Sequence, residues 1–255
     1  MGALSFVTTA YMPGAIVPGL LILASRVSKA DERMIRALIF DFDGLILDTE
    51  TPCFRSWQEV FREHGCDLCV EDWAALNDCS LDPVDPVGYL ERCLGHPVDR
   101  RTIHAGRARR ELEFLAAERP LPGVERVLAE AQALRLKLAV ASNSERDWVT
   151  GHLTRLGLCA RFGSILCAED VGQIKPDPAL YRATLDALHL QANQAIAFED
   201  SPRGILAAKR AGVYCVAVPN PVTRALSMSQ ADLTLASLTD APLQRLLAWA
   251  SGDLA

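Results

Sequence analysis

Lysine is scarce in this chain. Of its 26 basic residues only four are lysines, and 32 acidic residues bring the formal net charge to −6 at pH 7. Nucleic-acid-binding proteins normally carry a clustered basic surface. The acidic balance therefore argues against a nucleic-acid partner, and it gives weight to any lysine that stands inside a structured motif.

Cysteine is also sparse, with eight in 255 residues. Disulfide frameworks belong to short secreted chains, so we expect reduced thiols in a cytoplasmic protein. Cys66 and Cys69 form a C-x-x-C pair, but no second pair follows. A zinc or redox site at this pair is therefore the less favoured alternative.

The first 33 residues lack the marks of a signal peptide or a membrane helix. Residues 1–25 carry no charged side chain, so the positive region before a signal-peptide apolar run is missing. Prolines and glycines interrupt the aliphatic stretch, whereas a membrane span needs about 20 predominantly apolar residues. We expect a disordered leader over 1–33, with a weak membrane anchor as the alternative.

From Met34 onward, apolar strand patterns alternate with helical patterns. The apolar runs are typical of strands that are buried on both faces, and they cover 35–40, 136–141, 163–167, 195–198 and 213–218. Helical patterns fall between them, near 123–134, 145–156, 178–188 and 202–211. The alternation predicts an α/β fold with a doubly wound, Rossmann-like parallel sheet and helices on both faces.

Residues 52–119 interrupt this alternation. The stretch contains no convincing strand, and its helical patterns lie near 70–76, 86–93 and 99–118. We predict that it forms an all-helical domain, inserted into a core domain that is built from residues 34–51 and 120–255.

Acidic residues follow two of the predicted strands. Asp41 and Asp43 come two residues apart after the first strand, so their side chains point the same way in an extended segment. Glu199 and Asp200 follow another strand, and ligands of a doubly wound sheet bind beyond the carboxyl ends of its strands. Several carboxylates at one edge suit a hard, oxygen-ligated cation such as Mg²⁺.

Polar residues predicted at the same edge suit a phosphate group. Ser142, Asn143 and Ser144 follow the strand at 136–141, where hydroxyl and backbone N–H groups at a helix start can hold an anion. An ordinary helix N-cap is the alternative reading of these residues. Lys175 stands in the sequence KPDP before another helix. Its alternative is a surface charge, which the scarcity of lysine argues against.

Together and in this order, the segments DFDGLILDTE, ASNS, KPDP and FEDS resemble the motifs of the haloacid dehalogenase-like superfamily. The resemblance covers residues 34–218. The helical insert after the first motif resembles the cap of the subgroup that contains β-phosphoglucomutase and phosphoglycolate phosphatases. The resemblance implies a hydrolase that acts on a small phosphorylated metabolite, with a cap that closes over the site.

The resemblance also implies a role for each matched residue. Asp41 matches the nucleophile that becomes an aspartyl-phosphate, and Asp43 matches the general acid and base. Ser142 and Asn143 match phosphate-binding positions. Lys175 matches the catalytic cation that offsets charge on the phosphoryl group.

The implied cofactor is Mg²⁺, held by Asp41, the backbone carbonyl of Asp43 and Asp200, with Glu199 beside them or acting through water. The expected partner is a small phosphorylated metabolite, with no nucleic acid and no membrane involved. A monomer and a homodimer both fit the sequence.

Several departures from the family pattern favour a phosphatase. Asp43 is present, which argues against dehalogenase chemistry, and residues 52–118 contain no lysine for Schiff-base chemistry. Cys53 stands where the mutases carry a histidine, and residues 77–80 (NDCS) lack the arginine of their substrate loop. A phosphosugar mutase is the alternative. A non-enzymatic binding or phosphoacceptor module is less favoured, because a binding module has no need of Asp43.

Overall fold

The computed structural model describes residues 34–76 and 85–252. The predicted leader at 1–33 and the segment 77–80 lie outside the described residues, as do 81–84 and 253–255. The predictions made for the leader and for that segment therefore stay predictions.

Within the described residues, six parallel strands form one sheet in the order β3-β2-β1-β4-β5-β6. The strands are β1 (Ala37–Phe40), β2 (Lys137–Ala141), β3 (Ser164–Leu166), β4 (Ala195–Glu199), β5 (Tyr214–Ala217) and β6 (Leu233–Thr234). The first strand lies at the centre, where Phe40 pairs in register with Val140 on one side and with Phe198 on the other. The predicted parallel α/β fold is confirmed.

The helices fall into two groups along the chain. Between β1 and β2 come α1 (Glu50–Glu63), α2 (Val70–Leu76), α3 (Pro86–Leu94), α4 (Arg100–Ala117) and α5 (Val124–Ala133). After β2 come α6 (Arg146–Arg155), α7 (Ala179–Leu188), α8 (Pro202–Arg210) and α9 (Leu243–Ser251). In the part of the chain that the structure describes, none of the helices combines the length and the apolar character that a bilayer crossing requires.

The alternating side chains of β1 bury into two separate cores, one on each face of the sheet. Leu38 and Phe40 pack on the face covered by α5, α6 and α9, and the Phe40 ring stacks on Phe198 at 4.9 Å. Ala37 and Ile39 pack on the face covered by α7 and α8. Burial of each large apolar side chain contributes about 1.5–3 kcal/mol, which fixes the central strand and the acidic segment that follows it.

Helices α1 to α4 share a hydrophobic cluster of their own, with Trp57, Phe61, Leu90 and Ile103 among its buried members. Helix α1 begins at Glu50, two residues before the predicted start of the insert, and the Asp48 carboxylate accepts a hydrogen bond from the N–H of Thr51 in its first turn at 2.9 Å. The helical character of the insert agrees with the sequence pattern. Its assignment as a separate cap domain stays a prediction.

Candidate active site

A cavity of about 730 Å³ lies at the carboxyl ends of the central strands. Six of the residues that the sequence predicts for the site line this cavity, and Glu199 does not: the six are Asp41, Asp43, Ser142, Asn143, Lys175 and Asp200. They meet there because parallel strands deliver their C-terminal residues to the same edge of the sheet.

Lys175 joins two carboxylates at the base of the cavity. Its Nζ lies 3.0 Å from Oδ1 of Asp41 and 2.7 Å from Oε1 of Glu199. The side chain is 2% exposed, so it is not a surface charge. Although burial alone would lower the pKa of Lys175, the carboxylates of Asp41 and Glu199 more than offset that effect and raise it above its usual value. The lysine therefore stays charged.

The two oxygens of Asp41 have different surroundings. Oδ1 accepts the hydrogen bond from the N–H of Phe42 at 2.7 Å and contacts Lys175. Within the described residues, Oδ2 accepts no hydrogen bond from the protein. The carboxylate is thus held through one oxygen while the other is left to meet a ligand in the cavity.

Asn143 holds the loop that carries Lys175. Its side-chain Oδ1 accepts from the N–H of Lys175 at 2.8 Å, and its Nδ2 donates to the Lys175 carbonyl at 3.2 Å. Arg203 donates to the same carbonyl at 2.9 Å. The geometry supports a positioning role for Asn143, and its contact with phosphate stays a prediction.

Asp43 is held by three side-chain donors. Its Oδ2 accepts from the Ser144 hydroxyl at 2.6 Å and from the Ser142 hydroxyl at 3.3 Å, and its Oδ1 accepts from Trp148 Nε1 at 2.9 Å. Burial raises the pKa of Asp43, while the hydrogen bonds from Ser144 and Trp148 oppose that rise. The raised pKa favours the protonated form that a general acid needs.

The N-cap alternative for the serines is wrong. Helix α6 begins at Arg146 with Glu145 at its N-cap position. The Ser142 hydroxyl instead accepts from the N–H of Ser144 at 3.0 Å, closing a turn before the helix. This turn points both hydroxyls at Asp43, and the N-cap pattern in the sequence does not distinguish the two arrangements.

Three buried carboxylates form a group that could hold a metal ion: Asp41, Glu199 and Asp200 each offer an oxygen within 4.8 Å of the others. Asp200 also accepts from Asn220 Nδ2 at 2.8 Å. The Asp43 carboxylate is not part of this group, because it accepts hydrogen bonds from the two serines and from Trp148. The predicted role of the Asp43 backbone carbonyl as a Mg²⁺ ligand stays a prediction.

The chemistry of this group fits a hard divalent cation. Burial raises the pKa of Glu199 and of Asp200, and the Asp41 carboxylate adds to the rise in both. Glu199 Oε2 is buried and has no hydrogen-bond partner. Carboxylate oxygens are among the ligands that Mg²⁺ takes, and its charge would relieve their mutual repulsion.

The helical insert supplies a further part of the cavity lining. Glu50 and Cys53 of α1 and Glu111 of α4 line the cavity. Motif reasoning missed Glu50 and Glu111, as it missed Trp148, Tyr181 and Asn220 around the carboxylates. For Trp148 and Tyr181, the usable signal was a polar group on an aromatic side chain in an apolar pattern, because such groups need a partner when they are buried.

Glu50 predicts a pH dependence of stability. Burial raises its pKa from 4.5 to about 7, and Asp43 and Asp48 add to the rise. Between these values the native state binds more protons than the unfolded state, so stability falls as the pH rises through this window. At pH 8 the ionised Glu50 carboxylate destabilises the native state, and its partial exposure to solvent reduces this effect. We therefore expect Glu50→Gln to stabilise the metal-free protein by about 1–2 kcal/mol at pH 8.

Urea denaturation in EDTA at several pH values measures this gain, which should shrink as the pH falls towards 4.5. The control is Glu113→Gln, which changes an exposed glutamate of α4 that faces Arg109. It should show no such trend. A gain from Glu50→Gln that is equal at pH 5 and pH 8 would contradict the assignment of the raised pKa to Glu50.

Comparison with known proteins agrees with this geometry. Residues 38–218 match the family model described as haloacid dehalogenase-like hydrolase. This chain belongs to that family. Among its relatives, the YhcW protein of Bacillus subtilis (strain 168) is 42% identical over 214 residues, which cover 84% of this chain and 97% of the relative.

One further relative is named for phosphate chemistry, and one similar solved structure holds phosphate. The validoxylamine A 7′-phosphate phosphatase of Streptomyces hygroscopicus subsp. limoneus is 32% identical, with 81% of this chain and 96% of that protein covered. The crystal structure of CbbY from Rhodobacter sphaeroides in complex with phosphate matches with a TM-score of 0.62 at 29% identity. The match covers 81% of this chain and 96% of the CbbY chain. The predicted family and the predicted enzyme class, a phosphatase-type hydrolase, are confirmed.

Proposed function

We propose that this protein is a Mg²⁺-dependent phosphatase that hydrolyses the phosphate monoester of a small, sugar-like metabolite through an aspartyl-phosphate on Asp41. The observation that carries the proposal is the placement of Asp41. Its Oδ1 contacts buried Lys175, its Oδ2 is left to the cavity, and two further carboxylates lie beside it. A carboxylate held this way is suited to in-line attack on phosphorus.

Each residue of the site has its own role in the proposed reaction. Oδ2 of Asp41 attacks phosphorus, while Lys175 holds Oδ1 of Asp41 and offsets charge on the phosphoryl group. Asp43 gives its proton to the leaving oxygen and then takes a proton from the water that cleaves the aspartyl-phosphate. Ser142 binds the phosphoryl oxygens, and Asn143 keeps the Lys175 loop in place.

Asp41, Glu199 and Asp200 are the side chains that would hold Mg²⁺. When bound, the ion supplies the positive charge that allows an anionic carboxylate to approach an anionic phosphate. The insert helices act as the cap, because their side chains Glu50, Cys53 and Glu111 line the same cavity as the sheet residues. A lining drawn from both parts is suited to shielding the reacting groups from water.

Relatives support the sugar-like class of substrate. The Streptomyces enzyme is named for a phosphorylated validoxylamine, and the CbbY structure holds phosphate. Cys53 supports hydrolysis rather than the mutase alternative, because a thiol stands where the mutases carry a histidine. The cytoplasmic location and the monomeric or homodimeric state remain predictions.

Phosphate release in the presence of Mg²⁺ tests the proposal. The substrates are pentose and hexose monophosphates, phosphoglycolate and nucleotides, each assayed with Mg²⁺ and with EDTA. We expect Mg²⁺-dependent release from at least one sugar phosphate. Conversion of a hexose 1-phosphate only after a bisphosphate is added would instead establish the mutase.

A further inference from the structure

The insert contributes a distinct part of the cavity lining, which we term the helical wall and define as Glu50, Cys53 and Glu111. Glu111 is paired with Arg107 one turn earlier on α4, with Oε2 and Nη1 2.5 Å apart. Both side chains are largely buried, at 17% and 18% exposure. The pair is therefore only weakly screened by solvent.

Arg107 contacts two members of this wall, and other neighbours hold it in place. Its Nη1 lies 3.8 Å from the Cys53 sulfur, and its guanidinium lies over the Trp57 ring at 5.4 Å from the ring centre. Its Nε is buried without a hydrogen-bond partner. Arg107 is not among the residues that line the cavity. In this arrangement its charge is therefore paired with Glu111 and does not face a ligand.

The wall itself carries no positive charge. Burial raises the pKa of Cys53, with further contributions from Glu111 and Glu50, so the thiol stays neutral. Among the cavity residues in the described ranges, the basic ones are Lys175 and Arg203. Both belong to the sheet side, where Lys175 contacts Asp41 and Arg203 donates to the Lys175 carbonyl.

We infer that the helical wall selects substrates whose leaving group is uncharged and rich in hydroxyl groups, and that Glu111 is the residue that rejects a second phosphate. Hydroxyl groups donate well to carboxylate acceptors. A second phosphate at the wall would face the Glu111 carboxylate with no unpaired cation, and such like-charge placement is a means of discriminating between ligands. The inference rests on the proposed phosphatase and narrows its substrates to sugar monophosphates.

The test compares a hexose monophosphate with the corresponding hexose bisphosphate. We expect wild type to favour the monophosphate by at least about tenfold in kcat/KM, a modest like-charge penalty. Glu111→Gln removes the negative charge and frees Arg107, so it should improve use of the bisphosphate about tenfold relative to the monophosphate. The double variant Arg107→Gln/Glu111→Gln should lose that gain.

The matched control is Glu113→Gln on the same helix, where the glutamate is 65% exposed and lies opposite Arg109. It should leave the ratio of the two substrates unchanged. Equal kcat/KM values of wild type for both substrates would overturn the inference. An equal loss of kcat/KM for both substrates in Glu111→Gln would also overturn it, because it would show that Glu111 is a merely structural residue.

Binding to Asp41→Asn separates this inference from the proposed function. Calorimetry with the same two ligands needs no turnover. Tighter binding of the monophosphate, reversed by adding Glu111→Gln, supports the helical wall even if no phosphate release is found. Equal Kd values for the two ligands would overturn the wall even if wild type is an active phosphatase.

Discussion

Asp41→Asn is expected to lower kcat for phosphate release by at least about a thousandfold, because an amide oxygen cannot replace the attacking carboxylate oxygen. The substitution keeps the shape of the side chain, and Lys175 keeps its contact with Glu199 at 2.7 Å. The loss should therefore appear in kcat, while the thermal midpoint stays within a few degrees of wild type. Steady-state assays and a thermal melt measure both.

Asp48→Asn is the matched control for this change. Asp48 accepts a hydrogen bond from the Thr51 N–H at the start of α1 and does not line the cavity. Because the asparagine side-chain oxygen can accept the same hydrogen bond, the variant should keep kcat within about threefold of wild type. An Asp41→Asn enzyme that retains a tenth of wild-type activity would show that Asp41 is not the nucleophile.

Gly204→Ala is expected to be the most damaging single-methyl change in the described part of the chain. A Cβ at this position would overlap the carboxylate of Glu199. That carboxylate accepts from Lys175 and from Tyr181, and it is fully buried. Displacing it leaves a buried lysine without one of its partners, and breaking a buried pair costs about 3–5 kcal/mol.

Gly151→Ala provides the contrast. Gly151 lies within α6, and nothing lies within 4 Å of a Cβ placed there. Because alanine is the better helix former, this variant should gain about 0.5–1 kcal/mol. Urea denaturation of both variants measures the difference. If Gly204→Ala is as stable as wild type and still active, the Glu199 carboxylate is not confined as the structure shows.

Much of the fold follows from local pattern. The strands at the centre of the sheet are apolar runs because both of their faces are covered, and β1, β2 and β4 lie within a residue or two of their predicted positions. The edge strand β6 spans only Leu233–Thr234, which is too short for any period to show. Its pairing with β5 is set by the tertiary fold.

The site likewise contains residues that local sequence predicts and residues that only tertiary packing brings together. Asp41 and Asp43 can be predicted because adjacent sequence places them at one strand end. Trp148 and Tyr181 lie on helices far along the chain, and their contacts with Asp43 and Glu199 arise only when those helices pack on the sheet. The direction in which the Asn143 amide points is likewise set by the Lys175 loop, which no local pattern specifies.

Trapping the phosphorylated enzyme tests the central claim most directly. Wild type is mixed with its sugar phosphate and Mg²⁺, quenched in acid within a single turnover, digested and analysed by mass spectrometry. The account predicts that the peptide containing Asp41 gains one phosphoryl group and loses it as free phosphate appears. Phosphate release at the full rate, with no modified peptide at any time or with the group on another residue, would contradict it.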